Sequence, residues 1–141
     1  ISSSLKQYYY YNYDGKEIAQ KIVEITQDNQ LVEVKKLVNK IFALYLEEYK
    51  RGVYDFDHNL MHNVGFFDGH AMRMDIGKLQ YLEKIKDPHN YLADLKLILQ
   101  RIDEWMGRHY PFYRKELKLY MDQQLENISH AELPPQKKNA L

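Results

Sequence analysis

The sequence has no cysteine among its 141 residues. This absence excludes disulfides, cysteine-ligated zinc, iron–sulfur clusters and thiol catalysis. Serine occurs only at positions 2–4 and 129, outside any Gly-x-Ser-x-Gly motif, so a serine hydrolase has no support. Excess charge is absent too, because twenty Lys and Arg residues balance twenty Asp and Glu residues. A zero net charge argues against binding through bulk electrostatics, and we expect no nucleic-acid partner.

Long hydrophobic runs are also missing. No stretch approaches the roughly 18 apolar residues of a membrane-spanning helix, so we expect no membrane partner. The first residues, Ile1 to Ser4, lack the basic and apolar segments of a signal peptide. Because the chain does not begin with Met, we expect it to be a trimmed piece of a longer protein. We also expect that protein to be soluble, with the cytoplasm as its compartment.

Most of the sequence shows the three- and four-residue spacing of apolar side chains that is typical of amphipathic helices. Five helices are predicted: 15–26, 31–50, 78–86, 89–106 and 111–128. Between the second and third, Asp68-Gly69 separates two apolar arms and predicts a β-hairpin over 64–75. The expected fold is therefore mainly α, of the α+β class, with one hairpin after the second long helix.

The two ends of the chain differ in composition from this helical domain, which we place at 15–128. Residues 1–14 form an aromatic lead-in segment that contains five tyrosines: Tyr8, Tyr9, Tyr10, Tyr11 and Tyr13. We expect an extended segment that packs on the domain, since tyrosine favours half-buried pleated surfaces; a stacking platform for bases or sugars is the alternative. Residues 129–141 carry Pro134-Pro135 and are expected to be a flexible tail.

Residues 53–63, the polar loop, show no helical period and concentrate functional groups just before the hairpin. The loop contains Asp57 and ends at Asn63, and the second arm of the hairpin leads into Asp75-Ile76-Gly77. Phosphoryl transfer uses this set of groups: one carboxylate near the acceptor hydroxyl, and an amide oxygen with a second carboxylate to hold Mg²⁺. Such a break in a regular helical pattern is where function tends to lie.

This arrangement resembles the catalytic segment in the C-terminal lobe of the protein-kinase-like superfamily, including its aminoglycoside-phosphotransferase-like branch. The resemblance implies that the helix over 31–50 precedes the catalytic loop and that the hairpin lies beneath the nucleotide. It also implies that Asp57 is the catalytic residue that orients the acceptor hydroxyl, while Asn63 and Asp75 bind the Mg²⁺ of bound ATP. Asp75-Ile76-Gly77 then corresponds to the Asp-Phe-Gly motif.

The sequence departs from that pattern in two ways. The catalytic Asp of the family lies five residues before the Asn, where this chain has His58, whereas Asp57 lies six residues before Asn63 and fits only with a one-residue insertion. Asp55 is a weaker candidate. No Gly-rich loop or strand Lys is present, so activity requires an N-terminal lobe outside this chain. Without that lobe, the expectation is a pseudokinase-like binder.

Two other interpretations remain open. The first is a dedicated metal site among the acids and histidines of the segment, namely Asp55, Asp57, His58, His62 and His70. The second is a non-enzymatic helical domain that binds a protein partner. Its sequence feature is a cluster of residue types enriched at interfaces: Trp105, Met106, Arg108, His109, Tyr110, Phe112 and Tyr113. Closing the core between the last two helices is the structural explanation for the same cluster.

Overall fold

The computed structural model describes residues 16–17 and 31–133 of the chain. Helices make up most of this part, and two small antiparallel sheets supply the rest, as expected for an α+β fold. The elements in chain order are β1 (Lys16–Glu17), α1 (Leu31–Lys50), β2 (Val53–Asp55), α2 (Leu60–Asn63), β3 (Val64–Phe67), β4 (His70–Arg73), β5 (Leu79–Tyr81), a 3₁₀ helix (Glu83–Lys86), α3 (Pro88–His109) and α4 (Pro111–Glu132). The tyrosine-rich segment 1–14 lies outside the described residues.

Helix α1 is the centre of the core and spans the residues that the sequence predicted. One face of the helix is fully buried, and its larger members are Ile41, Phe42, Tyr45 and Tyr49. Burial of such a face, rather than intrinsic propensity, supplies most of the stability of a helix in a folded protein. The helix ends at Lys50, and Gly52, two residues beyond it, has a positive φ of 75° that favours glycine.

The predicted hairpin is present, with β3 and β4 in register from Val64 opposite Arg73 to Phe67 opposite His70. Its turn is Asp68-Gly69, and both residues have positive φ, as a two-residue hairpin turn requires. Strand β1 adds a third strand by pairing with β3. The prediction of a helix beginning at Gly15 is therefore wrong at Lys16–Glu17, because these residues pair with β3 as a strand. The rest of that predicted helix lies outside the described residues.

The second sheet pairs β2 with β5, from Val53 opposite Tyr81 to Asp55 opposite Leu79. Two predictions are wrong here. The polar loop is not irregular throughout, because it begins as β2 and ends as α2. Residues 78–86 do not form one helix, because β5 precedes a 3₁₀ helix. Each strand has three residues, so their structure depends on the partner and not on local periodicity.

Helices α3 and α4 pack side by side and complete the core. Helix α3 begins with Pro88 at its first turn, and the Asp87 carboxylate accepts a hydrogen bond from the His89 backbone N–H. Helix α4 runs to Glu132, so the flexible tail predicted from residue 129 begins too early. Glu132 accepts a hydrogen bond from the Tyr91 hydroxyl and pairs with Lys50, which fixes this last turn to α3 and α1.

The aromatic cluster at the junction of α3 and α4 divides between core and surface. Trp105 and Met106 are buried, and Tyr110 and Tyr113 pack against the core, whereas Phe112 is 90% exposed. Closing the core therefore explains Trp105, Met106, Tyr110 and Tyr113, but it does not explain the exposed Phe112. In the described part of the chain, every helix is too short or too polar to cross a bilayer.

Candidate functional site

Two backbone pairings bring the polar loop and the Asp75 turn, residues 74–78, to the same place. At the outer end, β2 pairs with β5, and the Phe56 N–H donates to the Lys78 carbonyl at 3.5 Å. At the inner end, the Met74 N–H donates to the Asn63 carbonyl at 2.8 Å, just before the hairpin ladder begins. Residues that are 11 and 22 positions apart in the sequence are thus joined by hydrogen bonds.

The structure joins two of the three predicted site residues directly. The Asn63 side-chain amide donates to Asp57 Oδ2 at 3.1 Å. Asp75 follows Met74, the backbone partner of Asn63, and its Oδ1 accepts the Gly77 backbone N–H at 2.9 Å. The Asp75 side chain therefore shapes its own turn, while Asp57 and Asn63 form a pair. Asp57 and Asp75 are both exposed to solvent.

His58 has an unusual backbone conformation within the polar loop. Its φ of 55° lies in the left-handed region, which a non-glycine residue adopts only when its surroundings hold it there. Two neighbours contact the ring: His58 Nε2 is 2.7 Å from Asp94 Oδ1 and 3.4 Å from the Tyr54 hydroxyl. The imidazole contacts α3 through Asp94, whereas Asp57 is exposed to solvent and pairs with Asn63.

Asp94 joins the polar loop, α1 and α3 through its two carboxylate oxygens. Oδ1 faces His58, and Oδ2 accepts a hydrogen bond from the Tyr49 hydroxyl. The hydrogen bond to Asp94 raises the pKa of His58 above its usual value, while partial burial opposes this effect. The pKa of the Tyr49 phenol is raised as well, because the group is buried and faces the Asp94 carboxylate.

A buried ionic cluster lies beneath the polar loop. Arg73, 1% exposed, is bidentate to Glu48: its Nε donates to Oε2 at 3.0 Å and its Nη2 to Oε1 at 2.7 Å. Its Nη1 donates to Asp55 Oδ2 at 2.7 Å, and Asp55 Oδ1 accepts the Asp57 backbone N–H at 2.9 Å. We call Glu48, Asp55 and Arg73 the Arg73 cluster. It connects α1 and β4 to the backbone that carries Asp57.

The Arg73 cluster places two carboxylates against one guanidinium in the interior. Burial raises the pKa of Glu48, an effect that Arg73 opposes. The guanidinium also lies over the ring of Tyr45, 4.6 Å from its centroid. Burial raises the pKa of the Tyr45 phenol, whose hydroxyl has no hydrogen-bond partner in the described part of the chain. The Tyr45 hydroxyl therefore stays neutral at physiological pH.

A groove of about 320 Å³ opens between the polar loop and α3. We call it the loop groove. Asp57 and His58 line it on one side, and α3 supplies the other side with Arg101, Glu104, Trp105 and Arg108. The groove therefore adjoins the Asp57–Asn63 pair.

The residues proposed for a dedicated metal site do not form one. Asp55 belongs to the Arg73 cluster, His58 faces Asp94, and His70 is exposed beside the hairpin turn. Across residues 16–17 and 31–133, no three His, Cys, Asp or Glu side chains are arranged to hold a metal ion. The sequence analysis missed Glu48, Arg73 and Asp94. Each of the three is a charged residue within an otherwise apolar segment, which is a sequence signal, but their partners are 18 to 45 positions away.

Comparisons with protein-family models, with curated proteins and with solved structures give no match for this chain.

Proposed function

We propose that this chain is a kinase-like lobe that carries the magnesium and acceptor residues of an ATP-dependent phosphotransferase. The observation that carries the proposal is the Asn63–Asp57 hydrogen bond of 3.1 Å, formed where the Asn63 carbonyl also pairs with Met74. This geometry sets one carboxylate, one amide and the Asp75 turn at one edge of the hairpin. These are the oxygen ligands that Mg²⁺ prefers.

In this proposal each residue has one role. Asn63 and Asp75 hold Mg²⁺ on the phosphates of ATP, and Asp57 orients the acceptor hydroxyl and accepts its proton. The acceptor oxygen forms a bond to the γ-phosphorus as the bond to the bridging β–γ oxygen breaks, and ADP leaves. The left-handed backbone at His58 supports this assignment, since it explains how Asp57 can serve despite the one-residue insertion. An N-terminal lobe outside this chain would complete the ATP site.

The experiment is paramagnetic line broadening of the ¹⁵N-labelled chain by Mn²⁺ with ATP, because it detects a weak, incomplete site. We expect the amides of residues 57, 63 and 75 to broaden first. Asp75→Asn keeps the shape of the side chain but removes its charge, and it should abolish the selective broadening. Asp122→Asn is the matched control, since Asp122 is an exposed helix residue paired with Lys118 and should leave the pattern unchanged. Broadening that is unselective, or that persists in Asp75→Asn, would contradict the proposal.

A non-enzymatic binding domain is the second candidate. It is favoured by an apolar groove of about 510 Å³ that Tyr54, Ile85 and Leu97 line beside the exposed Phe56. A contiguous apolar surface of this kind can accept a protein partner. This candidate predicts no selective broadening by Mn²⁺ with ATP in any of the three proteins, so the same experiment separates the two functions.

A further inference from the structure

The arginines of the described residues fall into two groups. Arg51, Arg73 and Arg114 each pair with a carboxylate, at 2.8, 2.7 and 3.0 Å respectively. Arg101 and Arg108 have no carboxylate within ion-pair distance among the residues that the structure describes. Both unpaired arginines line the loop groove.

The spacing of Arg101 and Arg108 along α3 allows both side chains to contact one ligand. Arg101 and Arg108 are seven residues apart on α3, which is two turns or about 10 Å along the axis, so both project from the same face. Arg101 and His58 also line a second, smaller cavity together, so the two residues lie near each other. Trp105, between the two arginines, supplies an aromatic surface.

The α3 wall of the groove favours an anion. His58 is paired with Asp94, and Asp57 keeps its negative charge because its partner Asn63 is neutral, but both residues lie on the loop wall. The α3 wall carries two guanidinium groups, which have no ion pair among the described residues, and one carboxylate, that of Glu104. Guanidinium groups bind phosphate and carboxylate through paired, charge-assisted hydrogen bonds. The groove volume of about 320 Å³ lies near the lower limit of the volumes that are usual for small-molecule sites.

We propose that the loop groove binds a small hydroxylated anion, with Arg101 and Arg108 holding its phosphate or carboxylate group. Its hydroxyl then points to Asp57 at the other wall. That this ligand is the phosphoryl acceptor rests on the proposed function; that the groove is an anion site does not.

Trp105 is the only tryptophan in the sequence, so its fluorescence reports on the groove directly. We expect glycerol 3-phosphate, titrated at constant ionic strength, to change this fluorescence saturably, and sodium chloride to leave it unchanged. Glycerate tests whether a carboxylate serves equally well. Arg101→Gln and Arg108→Gln should each weaken binding about tenfold, the usual effect of losing a hydrogen bond to a charged group. Arg51→Gln is the matched control and should bind as the parent protein does.

The proposal is overturned if neither anion gives a saturable change, or if both groove variants bind as tightly as Arg51→Gln. Binding of an acidic polymer without binding of either small anion would also overturn it. Asp75→Asn separates the two proposals, because it should lose the Mn²⁺–ATP effect and still bind glycerol 3-phosphate. If the parent binds the anion but shows no Mn²⁺–ATP effect, the groove is an anion site and the phosphotransferase proposal fails alone.

Discussion

At the scale of single residues, Arg73 combines nearly complete burial with three hydrogen bonds to carboxylates. It pairs with Glu48 and Asp55 in the interior, and Asp55 in turn accepts a hydrogen bond from the backbone N–H of Asp57. Asp55 was expected to be a metal ligand or a weaker catalytic candidate, and its burial with Arg73 gives it a structural role instead. The groups nearest the proposed chemistry are thus supported by a cluster that does not itself face solvent.

Arg73→Met should destabilise the protein strongly, because it leaves two carboxylates buried without their cation. Loss of one partner of a buried pair costs about 3–5 kcal/mol. Urea unfolding followed by circular dichroism measures this loss. Arg51→Gln removes an exposed pair and should change the free energy of unfolding by less than about 1 kcal/mol. Similar losses in the two variants would show that the buried cluster contributes no more than a surface ion pair.

The individual partners of these residues could not be predicted from the sequence. A charge at position 73 or 94 interrupts an apolar pattern, but the pattern does not say which distant residue compensates it. His58 illustrates the same limit, since its left-handed backbone follows from a contact with Asp94 that is 36 positions away. Asp57, Asn63 and Asp75, by contrast, are candidates through the resemblance of this segment to the kinase-like family, and their roles stay predictions.

At the scale of elements, the long amphipathic segments were predictable and the short ones were not. Helix α1 has the predicted bounds because twenty residues of three- and four-residue spacing leave little choice of face. The prediction of the hairpin is confirmed because its signal, the Asp68-Gly69 turn, lies within the hairpin itself. Strands β2 and β5 were missed because three residues carry no period, and their pairing joins segments across the whole hairpin.

Gly52, between α1 and β2, sets the angle at which the polar loop leaves the core. A Cβ at this position would lie 2.6 Å from Cε2 of Tyr81 on β5, and its φ of 75° also disfavours any other residue. We expect Gly52→Ala to destabilise the protein by more than about 1–2 kcal/mol, the cost of the left-handed backbone alone. Gly69→Ala is the matched control, since Gly69 has a φ of 77° but a Cβ there would make only an ordinary van der Waals contact, with Lys40 Nζ at 3.9 Å. Equal losses of unfolding free energy in urea would show that the Tyr81 contact has no effect.

At the scale of the whole molecule, a few hydrogen bonds and ion pairs connect helices and strands of the described structure that are distant in the sequence. Asp94 is one of them, because it joins α3 to α1 through Tyr49 and to the polar loop through His58. Protonation of a single imidazole therefore bears on the stability of the whole protein.

Because the folded state raises the pKa of His58, it binds the proton more tightly than the unfolded state. The stabilisation from this contact is fully present below the unfolded pKa, about 6.5, and is lost as pH rises through the folded pKa. We expect His58→Gln to lose more unfolding free energy at pH 5.5 than at pH 8.5, as measured by urea denaturation at both values. His130→Gln, on the exposed face of α4, is the control and should show no such difference. A loss that is the same at both pH values would contradict this linkage.

The tip of the hairpin has a practical consequence. Asp68, Gly69 and His70 are exposed, while the other end of the same hairpin adjoins Asn63 and Met74. Because the sequence has no native thiol, His70→Cys would provide a unique attachment point for a spin label or a fluorophore. A label there would be rigidly connected to the candidate site through four paired residues in each strand, and could serve as a fixed origin for measuring where ligands and further domains come to lie.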